Sequence, residues 1–160
     1  MNADELLIAE HQVIRGLLHQ LEHSSTDQAA HRSQLLDELL TTLDVHTQIE
    51  NDLFYPAIRD VSPLFAVAHA EHRQIDDQLA VVFRTDPASD DFHLEVMMLA
   101  ATIEHHASEE EDEMFPQSHA LGDAALAALG RRMQLRRQHL RDSPVTRTRL
   151  SIKRAALRHF

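Results

Sequence analysis

Two stretches of the sequence pair a histidine with a glutamate at the same spacing. Residues 46–56 read HTQIENDLFYP and residues 106–116 read HASEEEDEMFP, so each has a Glu four residues after the His and a Pro ten residues after it. Side chains four residues apart lie on one face of a helix. Imidazole nitrogen and carboxylate oxygen together suit iron, zinc or manganese. The duplicated pattern therefore indicates a metal site to which two helices contribute alike.

Both motifs fall on apolar stripes of the predicted helices. His46 lies seven residues after Leu39 and three after Leu43, and His106 lies three after Ile103. Steps of three, four and seven residues stay on one helix face. Two further histidines interrupt apolar stripes in the same way, so each of four predicted helices turns one histidine inward: His11, His46, His72 and His106.

Buried glutamates are harder to explain than buried histidines. A single histidine on an apolar stripe is usually an ordinary core residue, whereas an isolated buried carboxylate is costly unless it takes up a proton. Glu50 and Glu110 each follow a core histidine by one turn, and the predicted core stripes contain no Lys or Arg. A metal ion would supply the missing positive charge. The 13 histidines among 160 residues favour the same interpretation, since histidine is the commonest metal ligand.

Helical periodicity over most of the chain predicts an all-α protein. The third helix is expected to begin at Ser62-Pro63, because proline is favoured at the first helical position. Short links between long helices favour an up-down-up-down four-helix bundle. A shorter fifth helix is expected over 123–140, so residues 1–140 form the bundle with this helix and residues 141–160 form a basic C-terminal tail. The four bundle helices are expected at about 3–22, 28–54, 62–84 and 90–114.

Charge and composition narrow the choice of protein class. Residues 1–130 hold 25 acidic side chains and five Arg, whereas residues 131–160 hold ten Arg or Lys and one Asp. We expect the basic tail to pack on the acidic body or to mediate self-association as a homo-oligomer, rather than to bind nucleic acid. No apolar run is long enough for a membrane span, and the N-terminus lacks the features of a secretory signal. With no cysteine, a cytoplasmic protein is expected.

These motifs resemble those of the hemerythrin family, the HHE cation-binding bundles. The resemblance covers about residues 1–140, and the chain looks most similar to the small hemerythrin-like proteins of mycobacteria. It implies a non-haem diiron site inside the bundle. The resemblance is carried by Glu10-His11, by His46 to Glu50 with Phe54-Tyr55-Pro56, by His69-Ala-Glu-His72, and by His106 to Glu110 with Met114-Phe115-Pro116.

Membership of this family would imply two iron ions joined by an oxo or hydroxo bridge, although zinc and manganese also suit the donors. Five imidazoles, two bridging carboxylates and the bridge fill all but one coordination position, and the open position would accept O2, peroxide or NO. His69 is needed only to complete this donor count. The expected metal ligands are His11, His46, Glu50, His69, His72, His106 and Glu110.

Two residues leave alternatives at this site. Invertebrate hemerythrins place a carboxylate five residues after the last histidine, which would be Glu111, but the internal repeat favours Glu110. Tyr55, the only tyrosine in the chain, would point away from His46 on an unbroken helix. Pro56 can distort the helix there, and a phenolate is a hard donor that suits Fe(III). Tyr55 is therefore either a further metal ligand or an aromatic packing residue.

The function remains open between an enzyme and a binding protein. Resemblance to the mycobacterial group favours catalase-like decomposition of hydrogen peroxide, which would place the protein in the response to oxidative stress. No acid-base pair stands beside the expected ligands, so the metals themselves would carry the chemistry. The alternative is a carrier, sensor or scavenger that binds O2 or NO without turnover.

Overall fold

The computed structural model describes residues 1–159, which are all-α and contain no strand. None of the helices within this range combines the length and apolar character needed to span a membrane. The helices are α1 Ala3–Glu22, α2 Ala29–Ile49, α3 Tyr55–Ile58, α4 Phe65–Arg84, α5 Asp90–Glu109, α6 Phe115–Ser118, α7 Asp123–Asp142 and α8 Pro144–His159. The two short helices, α3 and α6, continue α2 and α5 after one π-helical turn each.

The four-helix bundle predicted from the periodicity is confirmed. Helices α1, α2, α4 and α5 form it, with α1 packed on α2 and α5, and α5 packed on α4. One predicted boundary is wrong: the third bundle helix begins at Phe65 rather than at Ser62-Pro63. The Ser62 hydroxyl accepts from the Leu64 N–H at 3.4 Å, so this serine serves a turn. Leu64 then takes the capping position and accepts the Ala68 N–H at 3.0 Å.

Two apolar clusters fill the bundle, and a polar layer separates them. The first, called the upper cluster below, includes Ile14, Leu43, Ile75 and Ile103. The second, called the lower cluster, contains residues from the start of α1, from the π-helical turns and from α7. Between them, one histidine from each bundle helix occupies the boundary, in agreement with the register of the apolar stripes. These four are His11, His46, His72 and His106.

Helix α7 packs outside the bundle against α1 and α2, and a glycine allows its close approach. A Cβ atom built on Gly130 would collide with the carbonyl oxygen of Met1 and would lie 2.9 Å from the carbonyl carbon of Asn2. Both contacts are backbone atoms, which cannot rotate away. The absence of a side chain at Gly130 therefore holds α7 against the start of α1.

We expect Gly130→Ala to destabilise the protein by about 1–3 kcal/mol, because the methyl group forces α7 and the N-terminus apart. Thermal unfolding followed by far-UV circular dichroism measures this loss. Gly16→Ala is the matched control, because a Cβ atom there meets no atom within 4 Å and alanine favours the helix. Equal melting temperatures for the two variants would contradict the close approach.

The basic C-terminal residues form a helix that packs on the acidic body, as expected from the charge distribution. Arg149 binds the buried carboxylate of Asp44 through Nη1 at 2.9 Å. Lys153 lies 3.1 Å from Asp76. Helix α8 contacts both α2 and α4, so it covers the seam between these helices. The segment predicted as a tail is therefore a sixth long helix, which begins at Pro144 directly after α7 ends.

Candidate metal centre

The two proline-containing motifs distort their helices in the same way. Pro56 has no N–H, and its ring would clash with the carbonyl four residues earlier in a regular helix. The chain avoids this clash with a π-helical turn over Glu50–Phe54, in which the Tyr55 N–H bonds to the Glu50 carbonyl. A second π-helical turn spans Glu110–Met114 before Pro116. Such turns occur frequently at functional sites, and here they redirect the residue after the turn.

The first π-helical turn reverses the expected direction of Tyr55. An unbroken helix would point this side chain away from His46, but the wider turn places Tyr55 over Glu50. Its side chain is 2% exposed. The hydroxyl donates to Glu110 Oε1 at 2.7 Å and lies 3.2 Å from both Glu50 Oε2 and His72 Nε2. The phenol therefore stands in the middle of the polar layer.

Glu50 connects the two halves of the site. Its Oε1 lies 2.9 Å from His46 Nε2, and its Oε2 lies 3.1 Å from His72 Nε2. The potential ligand atoms form three groups, within each of which all atoms lie within 4.8 Å of one another, and Glu50 belongs to the two buried ones. One buried group is His11, His46, Glu50 and Glu110, and the other is Glu50, His72 and His106. The third group, Glu71, His105 and Glu109, lies toward the surface.

Glu110 takes the corresponding place on the other side of the bundle. Its Oε2 lies 3.3 Å from His11 Nε2 and 3.7 Å from His106 Nε2. Glu111, the alternative from the invertebrate spacing, instead lies at the rim, where its Oε1 accepts from His11 Nδ1 at 2.8 Å and from Arg15 Nη1 at 2.8 Å. Of the two neighbouring glutamates, only Glu110 offers a carboxylate to the interior.

The inward-facing atoms of this cluster fit a metal ion. Within residues 1–159, four of these buried atoms form no hydrogen bond of adequate geometry, and their nearest polar neighbours are one another, with His46 Nε2 2.9 Å from Glu50 Oε1 and His11 Nε2 3.3 Å from Glu110 Oε2. A buried polar atom left without a partner costs about 1–3 kcal/mol. The same four residues form the first ligand group, so one cation would satisfy all of them at once. The donor set and its unpaired atoms therefore suit a transition metal.

Two carboxylates bind histidine rings on the side away from the ligand groups and so orient these rings for metal binding. His46 Nδ1–H donates to Glu10 Oε2 at 2.9 Å, and His106 Nδ1–H donates to Glu71 Oε2 at 2.8 Å. Each hydrogen bond leaves the Nε2 lone pair pointing inward, which is the arrangement that metal-binding histidines generally have. The sequence contained a signal for Glu10 and Glu71, because each directly precedes His11 or His72, but their partners lie on other helices.

Neighbouring charged groups in the buried cluster shift one another's pKa values. Burial alone would raise the pKa of Glu50, but the charge of His46 and hydrogen bonds from His46 and His72 hold that pKa well below its ordinary value. Burial would lower the pKa of His46, but Glu50 and Glu10 raise it well above the ordinary value. For Tyr55, burial together with the charges of Glu50 and Glu110 raises the pKa well above its usual range. The phenol thus holds its proton beside the ionised carboxylate of Glu50.

His69 lies beside this cluster rather than within either ligand group. The side chain is half-buried, and its ring centroid lies 5.2 Å from that of Tyr55 and 6.3 Å from that of His72. Partial burial, together with the nearby charges of His72 and Arg73, lowers the pKa of His69. A role for His69 as a ligand stays a prediction. Six of the seven predicted ligands converge, and Tyr55 joins them.

A match to a protein family supports the metal-binding character of this geometry. Residues 2–118 match the model of the hemerythrin HHE cation binding domain. The chain belongs to the hemerythrin family. The match spans the bundle helices and both π-helical turns, so the clusters of histidine and glutamate that could hold a metal ion lie within the matched domain.

The similarity to individual relatives covers more of the chain than the family match does. Uncharacterised proteins of Mycobacterium tuberculosis and Mycobacterium bovis are 37% identical over 147 residues, which cover 91% of this chain and 91% of each relative. A crystal structure of a hemerythrin HHE cation binding domain-containing protein from Mycobacterium kansasii superposes with a TM-score of 0.79 at 38% identity. It covers 96% of this chain and 99% of that protein. The expected similarity to small mycobacterial members of the family is confirmed.

Proposed function

We propose that this hemerythrin-family chain is a non-haem diiron protein that decomposes hydrogen peroxide in a catalase-like reaction. The observation that carries the proposal is the position of the Tyr55 hydroxyl, 2.7 Å from Glu110 and 3.2 Å from Glu50. It lies among imidazoles and carboxylates that suit iron. A phenolate is a hard donor and favours Fe(III), so this set of donors supports redox turnover over reversible binding to Fe(II).

The proposed ligands divide between two metal positions. Glu50 would contribute a donor to both, because its two oxygens lie near His46 and His72. Glu110 would contribute from the opposite side, and Tyr55 would take the place predicted for His69. His69 would then support the phenol from outside through the contact between the two rings. The proposed ligand set is His11, His46, Glu50, Tyr55, His72, His106 and Glu110.

The chemistry divides between metal and protein. When bound, the irons supply the two-electron redox capacity by which one peroxide is reduced to two waters and another is oxidised to O2. The protein orients the donors through the carboxylates behind His46 and His106. Tyr55 holds a proton at its hydroxyl until it binds a cation, since burial and the neighbouring carboxylates raise its pKa.

A small cavity beside the histidines limits what can reach the site. Its volume is about 10 Å³, close to the space that one water molecule requires. Apolar side chains of the upper cluster line this cavity, including Ile14, Leu43, Ile75 and Ile103. A cavity of this size favours the smallest ligands, a class that includes hydrogen peroxide, O2 and NO, over larger organic peroxides.

The same cavity supports a second candidate function. An apolar cavity beside four imidazoles also suits reversible binding of O2 or NO without turnover. The two candidates differ in what they require of Tyr55. A carrier needs a stable diferrous state, which a phenolate disfavours, whereas a peroxidatic centre rests in the diferric state. The tyrosine is therefore the residue at which the two functions separate.

We expect Tyr55→Phe to lose a visible phenolate-to-iron absorption band and to slow O2 release from peroxide at least about tenfold, a loss typical for removal of a group that tunes a metal site. The fold should persist, because Phe115 already occupies the matching position and packs beside His11 with ring centroids 5.9 Å apart, as Tyr55 packs beside His72 with centroids 5.7 Å apart. Iron content, optical spectra and O2-electrode assays of both proteins measure the effect.

Phe54→Leu is the control for aromatic packing, because Phe54 is buried next to Tyr55 and contacts its ring without a polar group. This variant should keep the band even if its stability falls. An unchanged spectrum and unchanged turnover in Tyr55→Phe would return Tyr55 to a packing role and favour the carrier.

A further inference from the structure

The two glutamates that orient histidines, Glu10 and Glu71, differ in the side chain that contacts their second carboxylate oxygen. Glu10 and Glu71 are related by the internal repeat, and each holds a histidine through its Oε2 atom. Their Oε1 atoms meet different environments. Glu10 Oε1 lies 2.9 Å from Arg137 Nε, whereas Glu71 Oε1 lies 3.3 Å from Nε2 of the exposed His105. A guanidinium thus stands behind only the first of these two carboxylates.

Arg137 comes from outside the bundle. It lies on α7, while Glu10 lies on α1 and His46 on α2. The contact with Glu10 is an ion pair rather than a hydrogen bond, and it joins a guanidinium that is 30% exposed to a carboxylate that is 4% exposed. A buried carboxylate depends strongly on such a partner, because removal of one member leaves an uncompensated charge.

We propose that Arg137 is a positioning residue for the metal centre, acting through Glu10 on His46. The guanidinium holds the Glu10 carboxylate in place, and the carboxylate holds the Nδ1–H of His46, so the His46 Nε2 atom keeps its direction toward the ligand group. Helix α7 is then part of the metal-binding machinery. The position served by His46 is supported from α7, and the position served by His106 is not.

The two oxygens of Glu10 link these contacts. Arg137 Nε lies 2.9 Å from Oε1, and this ion pair restrains the carboxylate so that Oε2 stays within hydrogen-bond distance of His46 Nδ1. Groups that hold metal-binding histidines from behind typically change metal affinity 10- to 100-fold when they are replaced. Arg137 contacts Glu10 and not the histidine itself, so we expect its replacement to change metal affinity by about tenfold, the lower end of this range.

The test measures metal release rather than turnover, because the inference rests on the proposed metal centre. Iron-loaded wild type, Arg137→Ala and Arg137→Lys are mixed with a ferrous chelator and a reductant, and the release of each iron is followed by absorbance. We expect about tenfold faster release of one of the two irons in Arg137→Ala. Arg137→Lys keeps the charge and should recover part of the wild-type retention.

Arg136→Ala is the matched control, since the neighbouring arginine makes a surface ion pair with Asp52 at 3.1 Å and has no contact with the centre. A merely structural role for Arg137 predicts equal release rates for the two alanine variants at equal melting temperature. That outcome would overturn the proposal. Wild type that binds no iron would instead overturn the proposed function, so the two failures are distinguishable.

A double-variant cycle tests the path through Glu10. If Arg137 acts on His46 by way of Glu10, then Arg137→Ala adds nothing in a Glu10→Gln background, and the double variant releases iron as fast as Glu10→Gln alone. Independent effects that multiply would show that Arg137 acts elsewhere and would also overturn the proposal. Circular dichroism of all variants establishes that each compared protein is folded.

Discussion

Glu50→Ala should leave the protein with at most one tightly held metal, and Glu110→Ala should do the same. Glu50 is fully buried, and its two oxygens lie 2.9 Å and 3.1 Å from histidines that belong to different helices. Its loss removes a donor from both ligand groups together. Two cations bound at the proposed centre would then have less negative charge between them, which would weaken both positions.

Metal analysis of the purified variants, together with titration of the metal-free proteins with Fe(II), measures this loss. We expect the affinity of the weakened position to fall at least about 100-fold, the upper range for a group that shapes a metal site directly. Glu113→Ala is the matched control, because this exposed glutamate lies three residues after Glu110 in the same acidic run. Two full equivalents of iron in both alanine variants would contradict the bridging assignment.

Removal of the metals should lower the melting temperature by about 10 °C. Ligands that bind only the folded state stabilise it by about 4 kcal/mol at a thousandfold excess over Kd. One kcal/mol shifts Tm by about 2–4 °C for chains of 150–250 residues. The metal-free core must also retain Glu50 and Glu110 beside four buried histidines, with unpaired atoms that no other group of residues 1–159 satisfies.

Thermal unfolding before and after chelation tests this stabilisation. The chelated sample should regain its original Tm when Fe(II) is restored, because the bundle is defined by its apolar clusters as well as by the metal. The Glu50→Ala, Glu110→Ala double variant serves as the control and should show little change on chelation. Equal melting temperatures for metal-loaded and metal-free wild type would refute a contribution of the site to folding.

The local spacing of the chain predicted much of the centre. His46 with Glu50, and His106 with Glu110, are separated by four residues, so helix geometry alone places each pair on one face. The surrounding leucines and isoleucines fix that face as the interior. For the same reason the bundle follows from the apolar stripes and the short links. Even the choice of Glu110 over Glu111 followed from the internal repeat, and the structure places the two carboxylates accordingly.

The direction of side chains next to a distorted helix turn was harder to predict from the sequence. Pro56 indicated a disturbance, but its direction depends on how the backbone relieves the clash with the carbonyl four residues earlier. The π-helical turn over Glu50–Phe54 turns Tyr55 inward. The start of α4 at Phe65 has a similar cause, because Ser62 bonds within a turn rather than at the helix end.

The sequence by itself determined that a helical bundle carries paired histidines and glutamates on its inner faces, because those relations lie within single helices. Only the tertiary structure decided which groups meet across helices: Glu10 with His46, Glu71 with His106, and Arg137 with Glu10. Such contacts depend on the rotation and approach of separate helices, which no spacing along the chain specifies. The docking of α7 on α1 therefore decided which carboxylate behind the metal centre receives an arginine.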